Sequence, residues 1–351
     1  MEKKYRQYVE RSRVCVGVDV HKVSWSVTII EGDEVVKYCT IPGNWKSLKQ
    51  LLSSYSPPEV TVSYEAGYFG YRLHDEVVKW GGHCFVIAPS LIPQESGNRV
   101  KIDRKDSHKL SYFLSKEMLK PIYVPPPENR AERQLIRTRS QLMEDRRRVQ
   151  CRLKAMLSFV GVAGPEETAW SALFVEQLKN MTFAQEAEKF CFEVYLREYE
   201  SVTALIHQLT QEIQRLAKTE KHQAAVNIIR STPGLGTLSA MEFLLEVEDC
   251  ARFESADRLA AYIGLTPSQY SSGEKTRLGR ITKSGKTHLR ATLIEAAWTT
   301  IKKDSGLKQK YERIKARSGG KRAIVAIARN LVIRLWTMWK NQQLYQLPQA
   351  T

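Results

Sequence analysis

Four carboxylates in the first third of the chain could together hold a divalent metal ion. Asp19 follows the short apolar run VCVGV, Glu65 follows VTVSY, and Asp103 and Asp106 open a stretch with helical spacing. Residues three apart project from one face of a helix, so Asp103 and Asp106 would point together. Clustered carboxylates repel each other unless a cation lies between them, and the hard ion Mg²⁺ suits such oxygens, with Mn²⁺ as a second candidate. Two such ions about 4 Å apart can stabilise the attacking and leaving oxygens of a phosphoryl transfer.

Each carboxylate also has an ordinary interpretation. Asp19 could end a strand in a turn, Glu65 could be a surface residue, and Asp103 could cap a helix with help from Asp106. The four together, on the expected elements in the expected order, favour a metal site.

A second set of reactive residues lies near residue 270. Ser271 and Ser272 stand beside Gly273, and a serine there could attack a phosphodiester while neighbouring cations hold the phosphate. The candidate cations are Lys275, Arg277, Arg280, Lys283, Lys286 and Arg290. A phosphate-binding loop without chemistry would use the same residue types, and from the residues alone both interpretations stay open. No histidine adjoins the serines, and His288 lies further downstream.

The elements that would position the acidic residues form an α/β pattern. Alternating or apolar runs predict strands, and 3.6-residue spacing predicts helices. The predicted order is βββαβαβα, with strands over 14–18, 25–30, 35–41, 60–64 and 83–88 and helices over 44–55, 71–80 and 103–120. Such an order is typical of a ribonuclease-H-like domain. Pro121 and the run Pro125 to Pro127 end it.

Two long helical stretches follow, over 128–160 and 183–218. Their apolar spacing suits a coiled coil with a second subunit, or a plain hairpin within one chain. Beyond them, Pro233-Gly234-Leu235-Gly236 between two apolar helices resembles a helix-hairpin-helix turn, in which Gly234 and Gly236 would let backbone amides face a DNA phosphate. A tight interhelical turn without a ligand uses the same residues. The rest predicts a Gly/Ser/Lys-rich loop over 266–286 and helices over 287–305 and 320–341.

The basic charge is concentrated at the carboxyl end. The chain of 351 residues has 54 Lys and Arg against 38 Asp and Glu, a formal charge of +16, and residues 270–351 have 18 against 4. Such an excess favours a polyanion partner, foremost nucleic acid, over an acidic protein or a membrane surface. No apolar run is long enough to cross a bilayer and no signal-peptide core is present, so a membrane protein is disfavoured and a cytoplasmic, nucleoid-associated location is expected. The six scattered cysteines indicate buried thiols.

Five motifs in order resemble the DEDD transposases of the IS110 insertion-sequence family, to which the Piv-type DNA invertases are similar. They are GVDVHKVSWSV, YEAGYFGYRLHDEV, VKIDRKDSHKL, STPGLGTLSAMEFLLEV and AAYIGLTPSQYSSGEKTRLGRITKSGKTHLRATLIEAAW. The resemblance covers about residues 12–340. Two departures are small: Ser107 follows Asp106 where Ala is frequent, and Glu65 precedes Ala-Gly-Tyr rather than Ala-Thr-Gly.

The resemblance implies a RuvC-like domain over 1–125, a coiled-coil stalk over 126–222 and a basic serine domain over 223–351. It further implies that Asp19, Glu65, Asp103 and Asp106 bind Mg²⁺ and that Ser272, rather than its neighbour Ser271, is the nucleophile. In that family the acidic set and a serine of another subunit form one composite site, and a structured non-coding RNA chooses donor and target DNA. A homo-oligomer, dimer or tetramer, follows.

The leading hypothesis is therefore a DNA transposase that cuts and rejoins strands through a covalent phosphoserine. The alternative is a RuvC-like, structure-selective endonuclease that uses water as its nucleophile. A third hypothesis is an architectural nucleic-acid-binding protein without catalysis. Only the first predicts a covalent protein-DNA adduct.

Overall fold

A computed structural model describes residues 13–93, 103–165, 169–272, 275–282 and 285–347. The chain divides into two compact units, Met1–Pro125 and Pro126–Thr351. The sequence predicts a further boundary near residue 222. Here the helices on either side of that position share one core, which includes Ile213, Val226 and Ile229.

The first unit is built on a mixed five-stranded sheet. Its strands are β1 (Val14–Val20), β2 (Ser24–Glu31), β3 (Glu34–Pro42), β4 (Val60–Glu65) and β5 (His83–Ile87). They lie in the order β3-β2-β1-β4-β5, in which β1 pairs antiparallel with β2 and parallel with β4. The helices are α1 (Trp45–Leu51), α2 (Arg72–Trp80) and α3 (Asp103–Ser115). The predicted order βββαβαβα is confirmed.

Both faces of the central strand are buried, which explains its nearly continuous apolar sequence. Val16 and Val18 pack into one core with Leu48 of α1 and Val77 of α2. Cys15 packs into a second core with α3, together with Leu110 and Leu114. Each fully buried aliphatic side chain contributes about 1.5–3 kcal/mol to folding. Helices therefore cover the sheet on both sides.

Helix α3 ends at Ser115, so the predicted end near Lys120 is wrong. The amide of Met118 donates to the Phe113 carbonyl and that of Glu117 donates to Leu114. Glu117 adopts a φ of 55°, the left-handed conformation that closes helices in this way. The chain turns away five residues before Pro121, and no proline is needed to stop the helix.

The second unit begins with two long antiparallel helices. Helix α4 (Pro127–Phe159) starts with a proline at its first position, where no amide hydrogen bond is lost, and α6 (Glu186–Ala217) returns along it. Arg139 Nε donates to Thr210 Oγ1 at 2.8 Å, and Arg152 Nη1 lies 3.1 Å from Glu198 Oε1. A short helix, α5 (Ala172–Lys179), lies between them in sequence. The two helices thus pair with each other within one chain, as the hairpin interpretation predicts. Pairing with a second subunit stays a prediction.

The remaining helices pack into one apolar core. They are α7 (Glu220–Arg230), α8 (Thr237–Val247), α9 (Ala256–Ile263), α10 (Thr287–Lys303), α11 (Ser305–Ser318) and α12 (Gly320–Lys340). Helix α11 was not predicted. Asp304 ends α10 and its carboxylate accepts the amide of Leu307, so one residue closes one helix and starts the next.

The segment predicted as a loop over 266–286 instead contains a β-hairpin. Its strands are β6 (Pro267–Ser272) and β7 (Lys275–Ile281), which pair antiparallel. Ser268 Oγ donates to the Arg280 carbonyl at 3.1 Å near the base of the hairpin.

The cysteine prediction is only partly right. Cys15, Cys84 and Cys250 are buried free thiols, and burial raises the pKa of Cys15 to about 11. Cys151 and Cys191, on α4 and α6, are exposed. Across the residues that the structure describes, no helix combines the length and apolar character needed to span a bilayer.

Candidate functional site

Asp19 and Glu65 lie side by side where two parallel strands end. Val18 of β1 pairs with Tyr64 of β4, so the next residue of each strand, Asp19 and Glu65, takes an equivalent place at the carboxyl edge. Residues two apart in a strand share a face. Gly17 and Ser63, two residues earlier, both contact α3. The two acidic residues therefore belong to the face that α3 covers.

Helix α3 approaches the sheet so closely that only small residues fit beneath it. A Cβ atom on Gly17 would lie 2.1 Å from the Ser107 carbonyl oxygen and 2.5 Å from the Ser111 nitrogen. Real atoms never come so near, so glycine is required at this crossing. Thr28 Oγ1 and Ser107 Oγ are hydrogen-bonded at 2.9 Å, and Ser63 Oγ donates to the Leu110 carbonyl.

The direction of α3 brings its first turn to the same edge. Leu114 packs with Cys15 near the start of β1, whereas Ser107 lies against Gly17 further along that strand. The helix therefore runs antiparallel to β1, and its amino-terminal turn, with Asp103 and Asp106, extends toward the end that bears Asp19. The Asp103 side chain lies outside the described part, and Asp106 is half-buried.

The described carboxylates do not form a preassembled metal cage. Asp19 Oδ2 lies 3.0 Å from Nε2 of His21, which sequence reasoning gave no role. Within the described ranges, no group of three or more His, Cys, Asp or Glu side chains is close enough to hold an ion. The structure brings the elements together, while the fourth carboxylate, Asp103, is described only in its backbone.

The candidate serines lie at the end of a strand. Ser271 pairs with Thr276 and Ser272 with Lys275 across the hairpin, while Gly273, between the strands, lies outside the described residues. Consecutive residues of a strand belong to opposite faces, so Ser271 and Ser272 are not interchangeable in position.

The predicted phosphate-binding cations have different surroundings. Arg280 is exposed. Lys286 Nζ lies 3.2 Å from Glu246 Oε2, so this cation already has a carboxylate partner. The side chains of Lys275 and Arg277, and all of Lys283, lie outside the described part.

Arg290 does not occupy the position expected of a phosphate ligand. Its side chain is buried and Nη1 donates to the carbonyl of Ile263, the last residue of α9, at 2.9 Å. Nearby, a Cβ on Gly285 would lie 2.0 Å from the Tyr262 carbonyl oxygen, and Gly285 has a φ of +95°. Both contacts hold the exit of the hairpin against α9. The phosphate contact of Arg290 stays a prediction.

The Pro-Gly-Leu-Gly turn contains two glycines with different surroundings. Gly234 has a φ of +92°, and a Cβ there would lie 2.7 Å from the Ala296 carbonyl, so close packing against α10 explains this glycine. Gly236 caps α8, and a Cβ there would meet no described atom within 4 Å. Open space at Gly236 is compatible with the predicted phosphate contact, whereas Gly234 has a structural reason of its own.

Comparison with known proteins decides the family. Residues 16–161 match a family model described as "Transposase", the DEDD transposase domain of IS110, and residues 226–339 match "Transposase IS116/IS110/IS902 family". A transposase, y4qE by name, from Sinorhizobium fredii is 30% identical over 291 residues, 81% of this chain and 71% of that protein. The transposase for insertion sequence element IS1533 of Leptospira borgpetersenii is 27% identical over 341 residues, 95% and 97% of the two chains. The chain belongs to the IS110/IS116/IS902 family of transposases.

An insertion-sequence transposase is an enzyme that cuts and rejoins DNA, and its DEDD domain implies a divalent metal ion. The residues of this transposase fit such an ion in chemistry and placement. Carboxylate oxygens are the donors that hard divalent cations prefer. Asp19, Glu65 and the first turn of α3 come to one edge of the sheet, and all four acidic residues lie within the matched range 16–161.

The sequence of this IS110-family transposase did not indicate one further group of residues, around His288. His288 Nδ1 lies 2.6 Å from Oε1 of Glu242, a buried residue of α8. Thr292, one turn further along α10, donates to Oε2 of the same carboxylate at 2.8 Å. Glu242 falls within an apolar helical run and is distant from His288 in sequence, so only the packing of α8 against α10 could show that they meet.

Proposed function

We propose that this transposase cuts and rejoins DNA with Asp19, Glu65, Asp103 and Asp106 as Mg²⁺ ligands and Ser272 as nucleophile. The observation that carries the proposal is the close contact of α3 with Gly17 of β1, because it directs the first turn of α3 toward the edge bearing Asp19 and Glu65. A divalent cation held by these carboxylates would supply positive charge beside a phosphate, and either Mg²⁺ or Mn²⁺ could do so.

In the proposed reaction, the serine oxygen bonds to the scissile phosphorus. The bond from phosphorus to one sugar oxygen breaks, that oxygen takes up the proton lost by the serine, and a phosphoserine ester remains. Attack by the hydroxyl of another strand reverses these changes and releases the serine. The phosphodiester is exchanged rather than hydrolysed, so rejoining needs no ATP.

The chemistry is tested by DNA excision with purified variants. Asp19→Asn and Asp106→Asn each remove a carboxylate charge and are expected to lower the rate by on the order of 100-fold or more, because metal-assisted charge stabilisation is worth several kcal/mol. Asp33→Asn is the matched control, since Asp33 is an exposed residue of the same unit paired with Lys116. Equal activity of Asp19→Asn and Asp33→Asn would overturn the assignment.

Ser272→Ala is expected to abolish strand joining, while Ser271→Ala retains it. Cleavage that persists in Ser272→Ala without any protein-DNA adduct would instead support the endonuclease that uses water.

We infer that a structured RNA from the same element guides this transposase. The support is the family resemblance together with the excess of cations over 270–351. Co-purification of the transposase with its flanking non-coding transcript, resistant to competition by unrelated RNA, would support guidance. Equal binding of both RNAs would contradict it.

We also propose that the transposase forms a homo-oligomer through the end of the α4–α6 hairpin. Phe159 is 91% exposed, and Leu173 and Phe190 are each 62% exposed. Large apolar side chains exposed together favour a protein interface. Phe159→Ser with Phe190→Ser is expected to lower the mass measured by light scattering; an unchanged mass would exclude this surface.

A further inference from the structure

A cavity of ≈ 240 Å³ lies between α4, α8 and α10, and its lining residues belong neither to the acidic set nor to the strands β6 and β7. Its polar lining consists of Arg139, Ser140, Ser239, Glu242, His288 and Thr292. These residues come from three helices that are far apart in sequence.

The buried acceptor in this cavity is already occupied. Glu242 is only 8% exposed, and its two oxygens receive His288 Nδ1 at 2.6 Å and Thr292 Oγ1 at 2.8 Å. Each oxygen of the carboxylate therefore already has one donor. Because Nδ1 of His288 is committed to Glu242, the nitrogen left for a ligand is Nε2, on a side chain that is 53% exposed.

His288 is one of two basic side chains that line the cavity. The hydrogen bond to Glu242 raises the pKa of His288, an effect that burial and Arg139 oppose and that the charges of Glu242 and Glu144 reinforce. The protonated ring carries a hydrogen on Nε2 as well as on Nδ1 and donates from both.

Arg139 is a second cation, and no carboxylate neutralises it at close range. In the described ranges it makes no ion pair within 4 Å; its Nε donates to Thr210, which leaves the terminal nitrogens available. Burial and the neighbouring charge of Arg146 lower the pKa of Arg139, while Glu242 opposes them. A bound anion would stabilise the charged form of Arg139 against its burial and against the neighbouring charge of Arg146.

We propose that this cavity binds one backbone phosphate of the nucleic acid, with Arg139 and His288 as its charged ligands and Ser239 as a hydroxyl donor. When His288 is protonated, its ring and the Arg139 guanidinium present two cationic donors in one cavity, and a phosphodiester is an anion that both can bind. Ser239 lies in the first turn of α8, just after Gly236. No described atom lies within 4 Å of the place of a Cβ at Gly236, so a nucleic-acid strand has room to approach there. The site deepens the proposed function and rests on it.

The site predicts a pH dependence of binding. Because the pKa of His288 is raised above its usual 6.5, the ring keeps its second proton to a higher pH than an ordinary histidine does. As the pH rises through the raised value, the Nε2 hydrogen is lost and the affinity for phosphate falls. The charged groups that act on the ring are Glu242 from α8 and Glu144 and Arg139 from α4.

The test is fluorescence anisotropy with the full-length protein, using a labelled DNA duplex and a labelled RNA hairpin in separate arms. His288→Gln and Arg139→Gln are each expected to weaken binding by about tenfold and to lower the slope of log affinity against log salt by about one. Arg148→Gln is the matched control, because Arg148 lies on the same helix but is paired with Glu144 and Asp145. Thermal unfolding confirms that each variant is folded, and Arg139→Lys, which keeps the charge, should retain the salt slope.

The outcomes separate the site from the wider function. Weaker binding of the DNA duplex alone assigns the phosphate to DNA, and weaker binding of the RNA hairpin alone assigns it to RNA. Either result supports the site. Loss of the pH dependence of binding in His288→Gln supports it as well. Wild-type affinity and slope in both variants, or an equal loss in Arg148→Gln, would overturn it. A wild-type protein that binds neither nucleic acid would instead refute the proposed function.

Discussion

Gly17 is the residue on which the arrangement of the acidic set depends most directly. It lies beneath α3, with the Ser107 carbonyl 2.1 Å from the place of a Cβ atom. Ser107 adds a hydrogen bond to Thr28 at the same crossing. Small residues at one crossing thus set the position of Asp103 and Asp106 relative to Asp19.

Gly17→Ala is expected to displace α3 and lower the free energy of unfolding by about 1–3 kcal/mol, because overpacking forces backbone shifts. Metal-dependent DNA cleavage should fall as well, since the carboxylates separate. Chemical denaturation and a cleavage assay measure the two effects. Gly67→Ala is the control for stability, as a Cβ there meets no described atom within 4 Å. Equal stability of the two variants would show that α3 is not held by this contact.

At the scale of elements, a buried charged cluster joins α4 to α8. Glu246 Oε1 lies 2.9 Å from Arg137 Nε, and Lys286 Nζ lies 3.2 Å from the other oxygen. Arg133 is buried beside it and donates to the Leu245 carbonyl. Burial raises the pKa of Glu246, but the hydrogen bond from Arg137 and the charges of Lys286, Arg137 and Arg133 outweigh it, so the pKa lies below the usual 4.5.

Because the pKa of Glu246 is lowered in the folded state, the free energy of unfolding depends on pH in the acidic range. The contribution of Glu246 is fully present above pH 4.5 and is lost as the pH falls through the lower folded value. Glu246→Gln should cost about 1–3 kcal/mol near pH 7, and the difference from wild type should shrink below pH 4.5. Urea unfolding across pH measures this. Glu198→Gln, which removes the exposed partner of Arg152, should change the unfolding free energy little at either pH. If the loss of stability in Glu246→Gln is the same at every pH, the assignment is contradicted.

Asp304 holds three elements at the end of the chain. It caps α11, its Oδ2 lies 2.6 Å from Arg334 Nη1 on α12, and it accepts the Tyr345 hydroxyl at 2.5 Å. Its side chain is fully buried. Asp304→Ala is expected to lower the unfolding free energy by about 2–4 kcal/mol, since a cap is lost and buried donors lose their acceptor.

The matched control is Asp257→Ala, which removes an aspartate that is 69% exposed and paired with Arg329. It should cost less than about 1 kcal/mol. Thermal unfolding of both variants measures the difference. Near-equal losses of unfolding free energy would show that the burial of Asp304 contributes little to stability.

Across the whole molecule, the local sequence pattern predicted most helices and strands. It did not predict which of them pack against each other. The apolar runs of β1 and β4 and the spacing of α4 and α6 are properties of short segments. By contrast, the β-hairpin over 267–281 is polar and basic, so it has no hydrophobic alternation to indicate strands; the Gly273-Glu274 dipeptide was the available turn signal. Helix α11 was hidden because Asp304 acts at two helix ends at once.

The same distinction applies to the candidate sites. The acidic set could be predicted because each residue follows a recognisable strand or opens a helix. The burial of Arg290 and the contact of Glu242 with His288 depend on which helices pack together, which charge and spacing along the chain do not specify. Charge along the chain therefore could not show that Arg290 is buried or that Arg139, on α4, lies beside His288.

We propose above that Ser272 forms a covalent bond with DNA at a step that requires the acidic set. The most direct measurement is mass spectrometry of the peptide cross-linked to DNA, trapped with a nicked substrate that prevents rejoining. We predict a nucleotide-modified serine at 272 in wild type and in Ser271→Ala, and none in Ser272→Ala or Asp19→Asn. Efficient cleavage by wild type with no modified serine, or modification that persists in Ser272→Ala, would contradict it.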